Sequence, residues 1–293
     1  MFKTVFNKSL ILLTIVVLLG MTGLTQAETA DVSAAKDGSA DTATAVSSST
    51  EKISTGADNA VPAETAGGSL PDKAEALEKI DRSLNPESYV SYKKIVNIDT
   101  KGIKKEFVMY VGKLGADKVL GSFLAPKTEV GRATLRIGDN MWLYIPNVKK
   151  PVRITSLQSV TGGLFNNADI MGLDYSDEYD CIDIKLADGK YELELKAKTG
   201  AVAYEKLIVV ADTETFTPER IDCYTSSGML VKSLHFKNII EFEEGFRRPS
   251  VVETDSPLFK GAKSIMIYSQ MKRVQLDESL FNINNMAKYQ ELR

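Results

Sequence analysis

The chain holds a single histidine, His235, and nowhere does it contain the Gly-x-Ser-x-Gly element that exposes a nucleophilic serine. A serine hydrolase needs a nucleophile, a base and an orienting acid, so that chemistry has no support here. His235 falls between Leu234 and Phe236 on the polar phase of an extended stretch and reads as a surface residue. No glycine-rich loop leads from a strand into a helix, which leaves a nucleotide phosphate without a cradle. The acids Asp174, Asp177, Glu178, Asp180 and Asp183 lack the ordered spacing of a calcium loop, and they read as a solvated face with no metal bound. An excess of charge is also missing. The formal net charge is −3, and once residues 1–27 and the acidic stretch after them are set apart, the remainder is neutral, which excludes nucleic acid as a natural partner.

Long apolar runs are equally scarce. The one candidate, residues 10–19, is too short to favour a membrane span. Lys3 and Lys8 precede it, and Thr25-Gln26-Ala27 supplies small residues for cleavage after Ala27, so residues 1–27 read as a secretory signal. No cysteine lies near that site, which excludes a lipobox, and the expected location is the periplasm. Residues 28–69 are Ala, Ser, Thr, Gly and acids with almost no large apolar side chains, the composition of a disordered linker that cannot offset ordering entropy by burial. Cys181 and Cys223 are the only cysteines and lie on separate predicted strands. Two free thiols are the expectation, and a disulfide between them stays open.

From residue 70 onward alternation takes over. The richest stretch is GRATLRIGDNMWLYIPNVKKPVRIT, residues 131–155. Ala133, Leu135 and Ile137 alternate with Arg132, Thr134 and Arg136. A Gly138-Asp139-Asn140 turn then leads to Met141, Leu143 and Ile145, which alternate with Trp142 and Tyr144, and Val152 and Ile154 continue against Arg153. This predicts a three-stranded meander with all its aliphatic side chains on one dry face. A helix is predicted over 71–84, with Pro71 in its first turn and Ala74, Leu77, Ile80 and Leu84 on one stripe. Strands are predicted over 89–99, with Val90, Tyr92, Val96 and Ile98 sharing a phase, and over 106–111 and 118–125. After Ser156 the pattern breaks until Tyr179, and an insertion of that length in a meander is often functional. A hairpin follows, with Ile182, Ile184 and Leu186 in phase before an Asp188-Gly189 turn and Tyr191, Leu193, Leu195 and Ala197 after it. Further strands are expected over 204–211, 219–225, 230–242, 250–253 and 263–274, with a short helix over 278–289. Strands without crossover helices pair antiparallel, and so wide a sheet with one dry face must curl into a trough. Alternation does not distinguish a packed trough from a hollow one.

The signature G-R-x-x-L-R-x-G-D-x-M-W-x-Y-x-P, residues 131–146, with Arg153-Ile154-Thr155 behind it, resembles the LolA-like superfamily of periplasmic lipoprotein-sorting proteins. Residues 160–170, VTGGLFNNADI, are similar to the glycine-Phe-Asp segment that comes next in that family, and Asp277-Glu278-Ser279-Leu280-Phe281 is similar to its C-terminal segment. The resemblance runs from residue 71 to the C-terminus. It implies an α+β, mainly β domain over 70–293: a curved antiparallel sheet, the LolA-like half-barrel, with a few helices over or inside the concave face. It further implies a carrier for lipid or lipoprotein acyl chains that moves towards the outer membrane, without cofactor or catalysis, contacting membranes transiently and receiving cargo from an inner-membrane transporter complex. The aliphatic phase of the meander, Leu135, Ile137, Met141, Leu143, Ile145, Val152 and Ile154, is then the expected cavity lining, with Phe165 in a lid. Arg153 and Asp169 are expected at the lid or a headgroup, Arg153 being otherwise an ordinary strand-surface arginine. Two alternatives stay open: a docking module of the same fold with a solid interior and an outer face of Arg136, Trp142 and Tyr144, and a metal-assisted lipid hydrolase using the acids near Asp177.

Overall fold

Asp72 fixes the start of the first helix, because its carboxylate accepts the backbone N–H groups of Ala74 and Glu75 and so satisfies two free donors of the first helical turn. The helix it starts is α1, Lys73–Leu84, with Pro71 outside the cap and Ala76, Leu77, Ile80 and Leu84 buried. The computed structural model describes residues 69–291. The leader, residues 1–27, and all but the last residue of the expected linker lie outside the described residues.

Strands β1 Ser88–Ile98, β2 Lys104–Leu114, β3 Lys118–Ala125, β4 Ala133–Ile137, β5 Asn140–Tyr144 and β6 Pro151–Ile154 follow α1. Two short helices, α2 Asn167–Met171 and α3 Tyr175–Glu178, precede β7 Tyr179–Ala187, β8 Lys190–Ala197, β9 Lys206–Asp212, β10 Pro218–Tyr224, β11 Leu230–Glu243, β12 Phe246–Asp255 and β13 Lys263–Arg273. The predicted C-terminal helix is instead a pair of 3-10 segments, Glu278–Leu280 and Ile283–Glu291. All thirteen strands join one sheet in the order β6-β5-β4-β3-β2-β1-β13-β12-β11-β10-β9-β8-β7, and every pairing is antiparallel. The first and last strands pair in the middle of the sheet, and the edges are β6 and β7, which do not pair.

Residues 155–178 therefore connect one edge of the sheet to the other. Phe165, Ile170, Met171 and Leu173 of this segment share one buried cluster with Leu77 and Ile80 of α1 and with inward side chains from both halves of the sheet, including Phe107, Met109, Leu193, Val209 and Met266. A sheet whose two halves touch the same short segment has to curl around it, and this makes an open, LolA-like half-barrel with α1 to α3 on its inner face. The outer face has its own, smaller cluster, where Leu120, Ala133 and Leu135 pack beneath Phe281, Met286 and Tyr289 of the C-terminal tail.

The two faces correct the expected single dry face of the meander. Ile137 pairs with Asn140, so the turn between β4 and β5 contains only Gly138 and Asp139. With two residues in the turn, odd positions of β4 stand beside even positions of β5, and a one-residue difference in a turn exchanges every side chain between faces. Leu135 and Ile137 consequently share the outer face with Trp142 and Tyr144, while Met141 belongs to the inner cluster. A similar inversion occurs in β1. The phase of Val90 and Tyr92 is the outer one, where Tyr92 meets Tyr110 edge to face at 5.3 Å. The alternate phase, Tyr89, Ser91, Lys93, Ile95 and Asn97, is buried. In β7 an irregularity between Cys181 and Asp183 takes Ile182 out of phase with Ile184, so Ile184 is buried and Ile182 is exposed.

Candidate functional site: a segment latched inside the half-barrel

Residues 155–178 hold their shape through short-range bonds. Asn166 and Asp169 form a reciprocal cap: the Asn166 side chain accepts the Asp169 N–H at 3.0 Å, and the Asp169 carboxylate accepts the Asn166 N–H at 2.8 Å. Gly172 ends α2 in the left-handed region at φ +64. Asp81 of α1 accepts the N–H groups of Tyr175 at 2.6 Å and Ser176 at 2.9 Å, which caps α3 from another element. Near the start of the segment, Asn97 donates to the Thr161 carbonyl at 3.1 Å, and Ser264 accepts the Leu164 N–H at 2.9 Å. Gly163 is required there, since a Cβ would sit 2.1 Å from Oδ1 of Asn97.

What ties this segment to the sheet is a set of basic side chains that point inward and are almost completely buried: Lys93, Lys113, Arg136, Lys232 and Arg248. They come from β1, β2, β4, β11 and β12. Lys93 donates to the Ile170 carbonyl at 2.9 Å. Lys113 donates to the Gly172 carbonyl at 3.2 Å and pairs with Asp174, which also receives Arg82. Arg136 bonds Glu178 at 2.7 Å and lies 3.5 Å from Asp177. Lys232 donates to the Leu164 carbonyl at 2.9 Å and pairs with Asp169. Arg248 reaches α1 instead, bonding the Leu84 carbonyl and, at 3.1 Å, Oδ1 of Asn85. Buried charge is costly unless it is paired and hydrogen-bonded; Lys113, Arg136 and Lys232 meet that condition by holding acids of the crossing segment, and Lys93 holds the segment through a carbonyl alone.

Burial governs the titration of these groups. It lowers the Lys93 ammonium below the ordinary lysine value, and it lowers Lys113 too, against the pull of Asp174. It raises the Glu178 carboxyl despite Arg136. Asp81 is pushed up to about 6, by burial first and by the neighbouring Asp174 second.

A cavity of about 60 Å³ lies between the segment and the sheet. Its lining includes Phe165, Asp169, Leu173, Tyr204, Arg248 and Tyr268. Ligand sites for drug-sized molecules usually run to roughly 300–1,000 Å³, so the segment itself occupies most of the space that a cargo would need.

The structure redistributes the residues expected from sequence. Phe165 and Asp169 line the cavity, Phe165 fully buried and Asp169 bonded to Lys232. Met141 and Ile154 pack with the inner cluster but do not line the cavity. Leu143 and Val152 pair with one another across β5 and β6 in that same inward phase, Leu143 buried and Val152 at the exposed edge. Ile145 lies beyond the end of β5, half-buried. Leu135 and Ile137 are on the outer face under the C-terminal tail. Arg153 pairs with Trp142 in the outward phase and donates to Asn140, away from the segment. Arg136, expected outside, is inside. Cys181 and Cys223 are free thiols on β7 and β10, with β8 and β9 between them. His235 lies on β11 with Nε2 3.4 Å from the Asp255 carboxylate. No three His, Cys, Asp or Glu side chains converge as a metal site among the described residues. The inward lysines and arginines went unread, although Lys113 falls in phase with Phe107, Met109 and Val111, a break in an apolar phase that signals a buried charge.

An incomplete barrel with a segment latched across its inner face defines the class. A family model described only as uncharacterized protein matches residues 115–288, more than half of the chain. Among solved structures, a LolA superfamily protein from Nitrosomonas europaea matches with TM-score 0.66 and 25% identity over 73% of this chain and 98% of that one. A domain described as an outer membrane lipoprotein-sorting protein from Vibrio parahaemolyticus matches with TM-score 0.63 and 20% identity, covering 73% and 98%. A DUF1329 family protein from Desulfovibrio piger has TM-score 0.63 and 21% identity, covering 73% and 97%, and like the Vibrio domain it speaks for the fold alone. No curated protein matches the chain in sequence. The chain belongs to the family of that model, and its fold is that of the LolA-like superfamily.

Proposed function

We propose that the protein is a non-enzymatic periplasmic carrier which shelters lipid or lipoprotein acyl chains on the inner face of the half-barrel and moves them towards the outer membrane. In this reading residues 1–27 are a cleaved leader, residues 28–69 a tether, and residues 70–293 the carrying domain, loaded by an inner-membrane complex. One observation carries the proposal. The interior is filled by a segment that joins the two unpaired sheet edges, with Phe165, Ile170, Met171 and Leu173 occupying the space between the curved walls. An insert of this kind can move aside and leave an apolar trough, which side chains locked between two paired sheets cannot do.

The energetic need for such a container is large. At about 0.8 kcal/mol per methylene, an acyl chain of ~16 carbons costs on the order of 10 kcal/mol to hold in water. The bonds at Lys93, Lys113, Arg136 and Lys232 hold the segment shut when no cargo is present. A permanently closed docking module is the second reading, favoured by the small volume of the present cavity. Native mass spectrometry of mature protein purified from its own envelope, followed by lipid extraction, separates the two. Stoichiometric lipid on the protein supports the carrier, and a consistently empty chain that also refuses added fluorescent lipid sinks it.

A further inference from the structure

Of the buried basic side chains, Lys93 and Arg248 differ from the rest. Asp169 is taken by Lys232, Asp174 by Lys113 and Arg82, and Glu178 by Arg136. Among the described residues, no carboxylate lies within ion-pair distance of Lys93 or Arg248; their polar contacts are the carbonyls of Ile170, Leu84 and Pro249, the amide oxygen of Asn85 and the hydroxyl of Tyr268, which accepts from both. Both cations press on one ring. The Arg248 guanidinium lies 3.9 Å from the Tyr268 ring centroid and the Lys93 ammonium 5.0 Å from it. Arg248 and Tyr268 line the cavity together with Asn85, and Lys93 adjoins it at Gly172, where an added Cβ would stand 3.4 Å from Nζ. Two buried cations beside a phenol, facing a cavity and lacking a counter-charge, make a receptor for an anion. Around them, Phe165, Leu173, Leu234, Val252 and Met266 supply apolar walls.

We propose that Lys93, Arg248 and Tyr268 form a headgroup subsite for an oxyanion, carboxylate or phosphate, borne on a single acyl chain, so that this carrier selects acidic amphiphiles over neutral ones. The proposal rests on the carrier reading and names its cargo class. A space of about 60 Å³ falls far short of the roughly 300–1,000 Å³ of a drug-sized ligand site, so it has room for a small polar head but not for a chain. The head therefore occupies the existing cavity, and the chain takes the place of Phe165 and its neighbours when the segment withdraws. Tyr268 reports the local field: burial pushes its phenol up, yet attraction to Lys93 and Arg248 prevails and holds it below the ordinary tyrosine value. The same field would stabilise a bound oxyanion.

The test uses the full mature chain and a fluorescent polyene fatty acid, its methyl ester, and acetate and inorganic phosphate as competitors without a tail. Hydrogen bonds to charged groups predict that the acid binds at least about tenfold tighter than the ester. Lys93→Met and Tyr268→Phe should bring that ratio close to one, with circular dichroism and melting showing a folded domain. Arg248 also holds the end of α1, so Arg248→Met is secondary, and the acid-to-ester comparison on the unaltered protein needs no variant. Equal binding of acid and ester overturns the subsite and leaves the carrier standing. If acetate or phosphate displaces the fatty acid at concentrations comparable to the acid itself, the site takes free anions, and the amphiphile proposal falls. Should neither acid nor ester bind, the carrier reading fails and takes the subsite with it.

Discussion

Asp81 shows how a single buried carboxyl can tie the crossing segment to solution pH. Its folded-state value of about 6 lies above the ordinary 3.8, so between those values the folded chain keeps a proton that the unfolded chain has released. The stabilisation from this group is complete below about pH 4 and is lost as pH rises through about 6, a swing of ~3 kcal/mol. Denaturant melts of the wild type and Asp81→Asn across that range should therefore diverge as pH rises, the wild type losing stability relative to the variant. Parallel curves would show that Asp81 titrates normally. Lys113 makes the opposite kind of contribution. Lys113→Met leaves the almost fully buried Asp174 with Arg82 as its one remaining ion-pair partner, and removal of one partner of a buried pair typically costs about 3–5 kcal/mol. Chemical denaturation should find a loss towards the lower end of that range. His235, half-exposed and bonded only to an exposed acid, should be replaceable by Ala with little effect on stability or lipid binding.

Residues 155–178 and the C-terminal tail lie on opposite faces of the sheet, and they call for opposite expectations. Residues 155–178 lie on the inner face and combine apolar packing of Phe165, Ile170, Met171 and Leu173 with polar bonds that can be exchanged, whereas the C-terminal tail seals the outer face by apolar packing of Phe281, Met286 and Tyr289 on Leu120 and Leu135. Gly163→Ala puts a methyl group into the Asn97 amide, which should break the bonds at Thr161 and Ser264. Hydrogen exchange is then expected to rise across residues 160–172 and stay unchanged in β1 to β4, and fluorescent lipid should bind faster. Protection unchanged across the segment would mean that this contact does not latch it. Met286→Ala should instead cost about 2–5 kcal/mol, as large-to-small changes at buried sites do, and leave lipid affinity as it was. A loss of lipid affinity there, with the fold intact, would move the site to the outer face.

At the scale of the whole molecule, an unclosed sheet of thirteen strands leaves two unpaired edges, β6 and β7, and spends part of its own chain bridging them. On the carrier reading, that architecture trades a permanent core for an interior that one segment vacates when cargo enters. Cargo that binds the folded domain and not the unfolded chain should raise its stability by about 2.7 kcal/mol at a free concentration a hundredfold above Kd. A calorimetric melting temperature that climbs with fatty-acid concentration, and does so less in Lys93→Met, is the expected result. A melting temperature indifferent to lipid would favour the closed docking module.

The positions of the strands were legible in the sequence because they depend on local causes: period-two alternation and the turn residues between runs. The predicted strand over 118–125 coincides with β3, and the stretch left irregular after Ser156 is the segment that fills the interior. The direction in which each strand faces was not legible. Face depends on parity, and a turn of two residues where three were read put Leu135 and Ile137 on the outside and Arg136 within. The buried ion pairs were equally out of reach, since Lys113 and Asp174 are 61 positions apart and Lys232 and Asp169 are 63 apart. Which charge meets which is settled only when the edges of the curled sheet bring the crossing segment over the inner face.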